Sequence, residues 1–159
     1  MRIHHTRATW AHARARCSRR KRFIAVLVLA LTASLLSACA AIYKPAPFWG
    51  ASGYSSTNID ATTVSVNYLT GATADAGTAR DYALYRCAEI ALERGFDGFV
   101  VLKGGAFSST GPYGTTTSST IVMRLFKGAA PDRGALPASA QGVYEARAVK
   151  ARLEAGIKR

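Results

Sequence analysis

The side chains that most often carry out chemistry are few in this 159-residue chain, and they are unevenly placed. The three histidines all lie within the first twelve residues, and the cysteines are Cys17, Cys39 and Cys87. Histidine-activated nucleophiles and imidazole metal sites need a histidine close to the other reacting groups. The fate of the N-terminal segment therefore decides which chemistry the rest of the chain can perform.

The first 38 residues have the composition of an export signal. Residues 1–22 contain eight cations and no acid, and residues 23–36 are almost purely apolar. A basic stretch, an apolar run and a small-residue end are the pattern of a secretory signal. The apolar run is short for a membrane span, which needs roughly 20 residues. We therefore predict an N-terminal signal helix within residues 1–38, the signal peptide.

The small residues that close this segment are Leu36-Ser37-Ala38-Cys39. They resemble the lipobox of bacterial lipoproteins, Leu-(Ala/Ser)-(Gly/Ala)-Cys. The resemblance implies that Cys39 is the lipidation site, that the bond before it is cut, and that acyl chains such as palmitate anchor the protein. Ala40 implies the periplasmic face of the outer membrane, because Asp at that position favours inner-membrane retention. An uncleaved anchor helix with an incidental cysteine is the alternative.

Cleavage before Cys39 changes which partners and cofactors are expected. The net charge of the full chain is +12, from 21 Lys and Arg residues and nine Asp and Glu residues. Removal of eight cations leaves 13 Lys and Arg residues with the nine acids, so the net charge of residues 39–159 is +4. A nucleic-acid partner, which the full charge suggests, is therefore not expected. Residues 39–159 contain no histidine, which excludes Ser–His and Cys–His catalysis and His-ligated metal sites. We predict no metal and no cofactor.

Cys87 is the one cysteine that is neither removed nor lipidated, so no disulfide can form within the mature chain. It lies in a helical pattern and is predicted to be a small buried side chain; a reactive or dimerising thiol is the alternative. A carboxylate-dependent enzyme remains conceivable without histidine. No spacing selects a pair among the six carboxylates weighed, which are Asp60, Asp75, Asp81, Glu89, Glu93 and Asp97. We predict that the protein is not an enzyme.

The residues after the signal predict an α+β fold. Residues 39–56 contain two prolines and two glycines and are predicted to be the lipidated Cys and a tether. Residues 57–127 are predicted to form a small β-α-β-β sheet with one packed helix. Its strands are expected at residues 62–68, 99–102 and 120–126, the first two parallel. The Gly-, Ser- and Thr-rich residues 104–119 are expected to be a loop.

Helix ends and the C-terminal region can also be assigned. Thr78 is expected to cap the helix, with Asp81 three residues on, and Gly95 is expected to end it. Residues 128–141 are predicted to be a linker, and residues 142–159 are predicted to form a C-terminal helix. That helix is expected to cover the open sheet face or, alternatively, to contact anionic lipid.

Two groups of side chains are candidates for contact with a partner. Arg86 and Glu89 stand at i,i+3 spacing on the central helix and form a candidate partner surface; an exposed intrahelical ion pair is the alternative. The tether contains four aromatic residues, which are Tyr43, Phe48, Trp49 and Tyr54. They are expected to pack on the domain or sit at lipid headgroups, and a partner-binding strip is the alternative.

Several motifs resemble those of a small, uncharacterised family of proteobacterial lipoproteins. They are Tyr43-Lys-Pro45, Gly53-Tyr-Ser55, Asp81-Tyr-Ala-Leu-Tyr-Arg-Cys-Ala-Glu89 and Val143-Tyr-Glu-Ala-Arg-Ala-Val149. The family carries Tyr-x-Pro, Gly-Tyr-Ser and a Tyr-x-Leu-Tyr-Arg-x-Ala-Glu helix, and Cys87 stands where Ala is usual. The resemblance implies a lipoprotein of this fold and brings no activity with it.

The expected function is therefore non-catalytic. The sequence predicts a membrane-anchored periplasmic lipoprotein with a binding or structural role in the envelope. Its expected partners are the membrane, through the lipid anchor, and an envelope protein or a glycan. The alternatives are a carboxylate-dependent periplasmic enzyme and a binder of glycans or small ligands, with residues 104–119 as a lid over the sheet.

Overall fold

A computed structural model describes residues 41–47, 52–71, 75–112 and 114–159. The predicted signal peptide and the predicted lipidation site Cys39 lie outside these residues. The described residues belong to one compact unit, Cys39–Arg159. No helix in them is long and apolar enough to cross a membrane.

The fold is built on one five-stranded antiparallel sheet. Its strands are β1 (Gly53–Asn58), β2 (Thr63–Leu69), β3 (Gly98–Gly111), β4 (Gly114–Phe126) and β5 (Gly142–Glu145). Their order across the sheet is β1-β2-β4-β3-β5. The predicted common direction of β2 and β3 is present, since both are antiparallel to β4. They form no parallel pair, however, because β4 lies between them.

Two helices lie on the same side of the sheet, and the longer one packs against it. Helix α1 (Ala76–Glu93) follows β2, and helix α2 (Ala146–Leu153) follows β5. The mixed α and β composition and the helix packed on the sheet confirm the sequence prediction at that level. The prediction that the C-terminal helix covers the opposite sheet face is wrong. Its buried residues Ala146 and Val149 join the same core cluster as α1.

The caps of α1 differ in part from those predicted. Asp75, rather than Thr78, is the N-cap, because its carboxylate accepts a hydrogen bond from the Thr78 backbone N–H at 2.8 Å. The predicted end at Gly95 is confirmed. Gly95 adopts φ +73°, and the N–H of Phe96 donates to the carbonyl of Ala91 at 2.9 Å. This is the Schellman arrangement that favours glycine.

The core lies between α1 and the alternating inward side chains of the central strands. On β2 the inward residues Val64, Val66 and Tyr68 are fully buried. They lie opposite Met123, Ile121 and Ser119 of β4. Every buried hydrophobic side chain among the described residues lies between residues 43 and 149. Residues 39–159 therefore carry a self-contained core and have what a domain needs to fold on its own.

Three parts of the chain differ from the sequence prediction. The predicted tether over residues 39–56 runs into β1, an exposed edge strand whose Ser and Thr residues show no apolar alternation. The predicted loop over residues 104–119 is instead β-structure that extends the β3–β4 hairpin. The predicted helix over residues 142–159 begins with β5 and becomes helical only at Ala146.

Candidate functional site

The first described segment, residues 41–47, lies along the edge of β1. The N–H of Ala46 donates to the carbonyl of Tyr54, and the N–H of Tyr54 donates to the carbonyl of Lys44, both at 2.8 Å. Gly53 makes this approach possible. Its φ is +142°, and a Cβ there would lie 2.6 Å from the Lys44 carbonyl oxygen. Residues 42–47 of the predicted tether are therefore docked on the domain.

A cluster of aromatic rings receives this segment. We call it the tyrosine cluster, and its members are Tyr43, Tyr54, Tyr68, Tyr82 and Tyr85. Tyr43 lies at its centre, with ring centroids 4.7 Å from Tyr54 and 5.2 Å from Tyr85. The Tyr43–Tyr85 pair is edge-to-face, a geometry that is favourable beyond simple area burial. The expectation that tether aromatics pack on the domain is confirmed for Tyr43 and Tyr54, whereas Phe48 and Trp49 lie outside the described residues.

The hydroxyl groups of the tyrosine cluster bind both ends of the described chain. Tyr68 donates to the Ile42 carbonyl at 2.9 Å, and Tyr82 lies 3.2 Å from the Ala41 carbonyl. The Tyr82 hydroxyl also accepts from the Lys158 N–H at 3.1 Å. The two ends bind each other as well, because the Tyr43 N–H donates to the Lys158 carbonyl at 2.6 Å.

Arg86 and Glu89 lie beside this cluster. They form an ion pair at 3.0 Å, and their side chains are only 17% and 18% exposed. The expected i,i+3 ion pair is therefore present, but it is largely shielded from solvent rather than exposed. The Tyr43 hydroxyl donates to Glu89, and the Arg86 guanidinium lies 4.8 Å from the centre of the Tyr54 ring. Much of the candidate partner surface is thus occupied by the chain's own N-terminal segment.

Burial and these contacts set the ionisation of the cluster. Burial, with the hydrogen bond to Glu89, raises the pKa of Tyr43 well above its usual range. Burial raises the pKa of Tyr68 to about 12. Burial opposes the charge of Arg86, but hydrogen bonds to Glu89 and Glu93 outweigh it and raise the Arg86 pKa. Tyr43 and Tyr68 are therefore neutral hydrogen-bond donors and Arg86 is a fixed cation at physiological pH.

A second feature is the far end of the β3–β4 hairpin. β5 pairs only with residues Gly98–Val101 of β3. Beyond them, no strand in the described part of the chain pairs with that edge of β3. The sequence from Gly104 to Thr120 contains no charged residue, and Phe107 is 71% exposed on it. The projecting hairpin, residues 105–117, is thus an uncharged strand pair with an open edge.

The hydrogen-bond pattern shows which backbone groups this edge offers. Thr117 directs its backbone towards β2, since its carbonyl accepts from the Thr70 N–H at 2.8 Å. Hydrogen-bonded and non-bonded pairs alternate along antiparallel strands, so Thr116 and Ser118 bond to their β3 partners Ser109 and Phe107. The intervening β3 residues direct their N–H and C=O groups away from β4. These outward residues are Ala106, Ser108 and Thr110.

A groove of about 300 Å³ adjoins this edge. Its walls come from the first turns of α1, the middle of β3 and the edge strand β5. Leu84, Val101 and Tyr144 supply apolar surface, and Arg80 contributes a cation. A bulge between Val101 and Lys103 shifts the register at this point. The groove therefore lies where the paired part of β3 gives way to its open edge.

Five of the six carboxylates weighed as catalytic groups have structural partners among the described residues. Asp60 accepts from the backbone N–H groups of Thr62 and Thr63 at 2.8 and 2.7 Å, and these bonds lower its pKa to about 2. Asp75 caps α1. Asp97 accepts from the Gly128 N–H at 2.7 Å.

Cys87 is fully buried, and burial raises the pKa of its thiol. This confirms the predicted small buried side chain and argues against a reactive thiol. No cluster of three or more His, Cys, Asp or Glu side chains suitable for a metal occurs among residues that the structure describes.

Comparison with protein families, curated proteins and solved structures gave no match. The resemblance to a lipoprotein family therefore remains a prediction.

The sequence did not predict that the five tyrosines form one cluster. Tyr82 and Tyr85 stand at i,i+3 spacing, which signals a shared aromatic side of α1. Nothing in the spacing of Tyr43 and Tyr68 indicates that they meet these rings. The open edge of β3 was missed because a Ser-, Thr- and Gly-rich run is typical of loops.

Proposed function

We propose that this chain is a lipid-anchored lipoprotein on the periplasmic face of the outer membrane, and that it binds an extended segment of an envelope protein without catalysing a reaction. The observation that carries the binding role is the open edge of β3. Ala106, Ser108 and Thr110 direct backbone groups outward from it that pair with no strand among the described residues, beside a groove of about 300 Å³.

Physical chemistry favours strand addition at this edge. An added strand satisfies backbone groups that otherwise bond only to water, and neighbouring pockets select its side chains. Exposed edges are commonly blocked by charges, prolines or covering loops. Residues 105–111 have no charge and no proline. Arg80 in the groove suits a partner segment that carries an acidic side chain or a terminal carboxylate.

The hydroxyl-rich hairpin is less suited to the alternative of glycan binding. Ser108 and Thr117 hydrogen-bond each other at 2.9 Å, and so do Thr110 and Thr115. These paired hydroxyls have less capacity left for a sugar. Residues 104–111 also pair with residues 114–121 as strands, whereas the glycan hypothesis took residues 104–119 as a loop that forms a lid over the sheet.

The anchor is tested by the intact mass of protein extracted from membranes. We expect a mass equal to residues 39–159 plus acyl chains, and we expect Cys39→Ala to remove both the cleavage and the added mass. An unmodified full-length mass in the unsubstituted protein would disprove the anchor. The partner site would then need to be considered together with the basic N-terminal segment.

The edge is tested by site-specific photocrosslinking in cells, with the photoreactive residue at Phe107. Ala106→Pro removes one outward N–H without breaking a β3–β4 hydrogen bond, so we expect the crosslinked adduct to disappear. Ala106→Thr keeps that N–H and is the matched control. The same adduct in both variants, or equal crosslinking from Ile59 on the β1–β2 turn, would contradict binding at this edge.

A further inference from the structure

The N-terminal end of the described chain is fixed within two residues of the proposed lipidation site. The Ala41 carbonyl lies 3.2 Å from the Tyr82 hydroxyl, and the Ile42 carbonyl accepts from Tyr68. Two residues span at most about 7 Å when fully extended. A lipid on Cys39 would therefore hold this part of the domain within several ångströms of the bilayer, with no long tether between them.

The residues around this point have the chemistry of a membrane interface. Ile42 is one of three large hydrophobic side chains exposed in the described residues, at 47%. Lys44 and Lys158 are exposed nearby, and neither takes part in an ion pair among the described residues. Arg159 shares Glu154 with Lys150, so this region has more cations than acids.

We propose that the surface formed by Ile42, Lys44, Lys158 and Arg159, the terminal surface, lies against the bilayer and binds anionic lipid headgroups. The inference rests on the proposed lipidation of Cys39 for its orientation. An apolar side chain flanked by lysines suits the boundary between acyl chains and headgroups, because the lysine stems lie along apolar surface while their charges reach the phosphates. The lipid anchor and the terminal surface then fix the orientation of the domain together.

The same geometry separates the membrane contact from the proposed partner site. The terminal surface includes residues of the docked segment, which lies along the edge of β1, where Tyr43 contacts Tyr54. The open edge belongs to β3, which is separated from β1 by β2 and β4. A domain held at its terminal surface therefore leaves the β3 edge accessible from the periplasm.

The test uses lipid-free residues 39–159, which carry the complete core, and vesicles of phosphatidylglycerol mixed with phosphatidylcholine. We expect cosedimentation with these vesicles, loss of it at high salt, and little with phosphatidylcholine alone. Each lysine at an anionic surface contributes about fivefold in affinity. Replacing both lysines, Lys44→Glu with Lys158→Glu, should therefore weaken binding by about 25-fold or more.

The matched control is Lys103→Glu with Arg124→Glu, which changes the net charge equally. Both residues are exposed and belong to the sheet face turned away from α1, since their register partners are Val122 and Thr63. We expect this control to bind nearly as well as the unchanged protein. Equal loss in both double variants would mean that only net charge matters and would overturn the terminal surface. So would the absence of binding to anionic vesicles.

The outcome is independent of the anchor test. Lipidation of Cys39 together with no vesicle binding would leave the anchor and remove the terminal surface. Vesicle binding together with an unmodified Cys39 would leave a lipid-binding surface and remove the proposed anchor. Thermal unfolding of each variant confirms that the substitutions leave the fold intact, because Lys44 and Lys158 hold the chain ends through backbone atoms.

Discussion

The two halves of the β3–β4 hairpin are built from the same pair of strands but are stabilised differently. In the half near α1, Phe99, Met123 and Leu125 point into the core and are at most 4% exposed. In the projecting half, from Gly105 to Thr117, serine, threonine and glycine predominate, and most of the described side chains are exposed. The first half is held mainly by burial. The second is held mainly by hydrogen bonds between its two strands and between Thr117 and Thr70, and an isolated pair of strands is only marginally stable. Strand pairing therefore continues along the whole hairpin, whereas core burial stabilises only the half near α1.

The largest expected difference between the halves comes from truncating one large side chain in each. Met123→Ala creates a cavity in the core and should lower the free energy of unfolding by about 2–5 kcal/mol. Phe107→Ala removes an exposed side chain and should change it by less than about 0.5 kcal/mol. Denaturant unfolding of both variants measures the contrast. A large loss from Phe107→Ala would mean that the projecting half has a packing partner.

Glycines provide a smaller contrast, between the docked N-terminal segment and the hairpin tip. Gly53→Ala places a Cβ against the Lys44 carbonyl at φ +142° and should destabilise the protein by about 1–3 kcal/mol. Gly111→Ala meets no atom within 4 Å and should stay within about 0.5 kcal/mol of the unchanged protein. Thermal melts in parallel compare them. Equal stability of the two variants would mean that residues 44–46 do not dock on β1.

The smallest contrast is in the response to alkaline pH. The Tyr68 pKa is raised from 10.0 to about 12, so the neutral hydroxyl stabilises the folded state fully below pH 10. This contribution is lost as the pH rises through about 12. Tyr68→Phe should therefore be less stable at neutral pH but lose stability less steeply in this range. Unfolding free energies across that pH range measure the slope, and identical slopes would contradict the assignment. The serine and threonine side chains of the projecting half do not titrate in this pH range.

The sequence predicted what depends on local pattern. The alternation of Val64, Val66 and Tyr68 located β2, and Gly95 located the end of α1. The N-cap was misplaced because Thr78 and Asp75 are both good capping residues, and only the backbone geometry selects between them. β1 and the projecting hairpin were missed because their strands lack apolar alternation, so that pairing with a neighbour decides their conformation.

The candidate sites were less predictable than the fold. Arg86 and Glu89 were identified as a pair, but their burial depends on Tyr43 and Tyr54, which are far away along the chain. Contacts across such separations leave no periodic signal in one sequence. The open edge of β3 depends on where β5 stops, and β5 itself is only four residues long.

The strand order also has a consequence for how the chain assembles. β1 with β2, and β3 with β4, are local hairpins that can form early. They are joined only when β2 reaches β4 and Val66 meets Ile121, which closes a loop that contains all of α1. Closing that loop has an entropic cost before any contact across the join forms. The join between β2 and β4, rather than either hairpin, should therefore set the folding rate, and substitutions at Val66 should slow folding more than substitutions in the projecting hairpin.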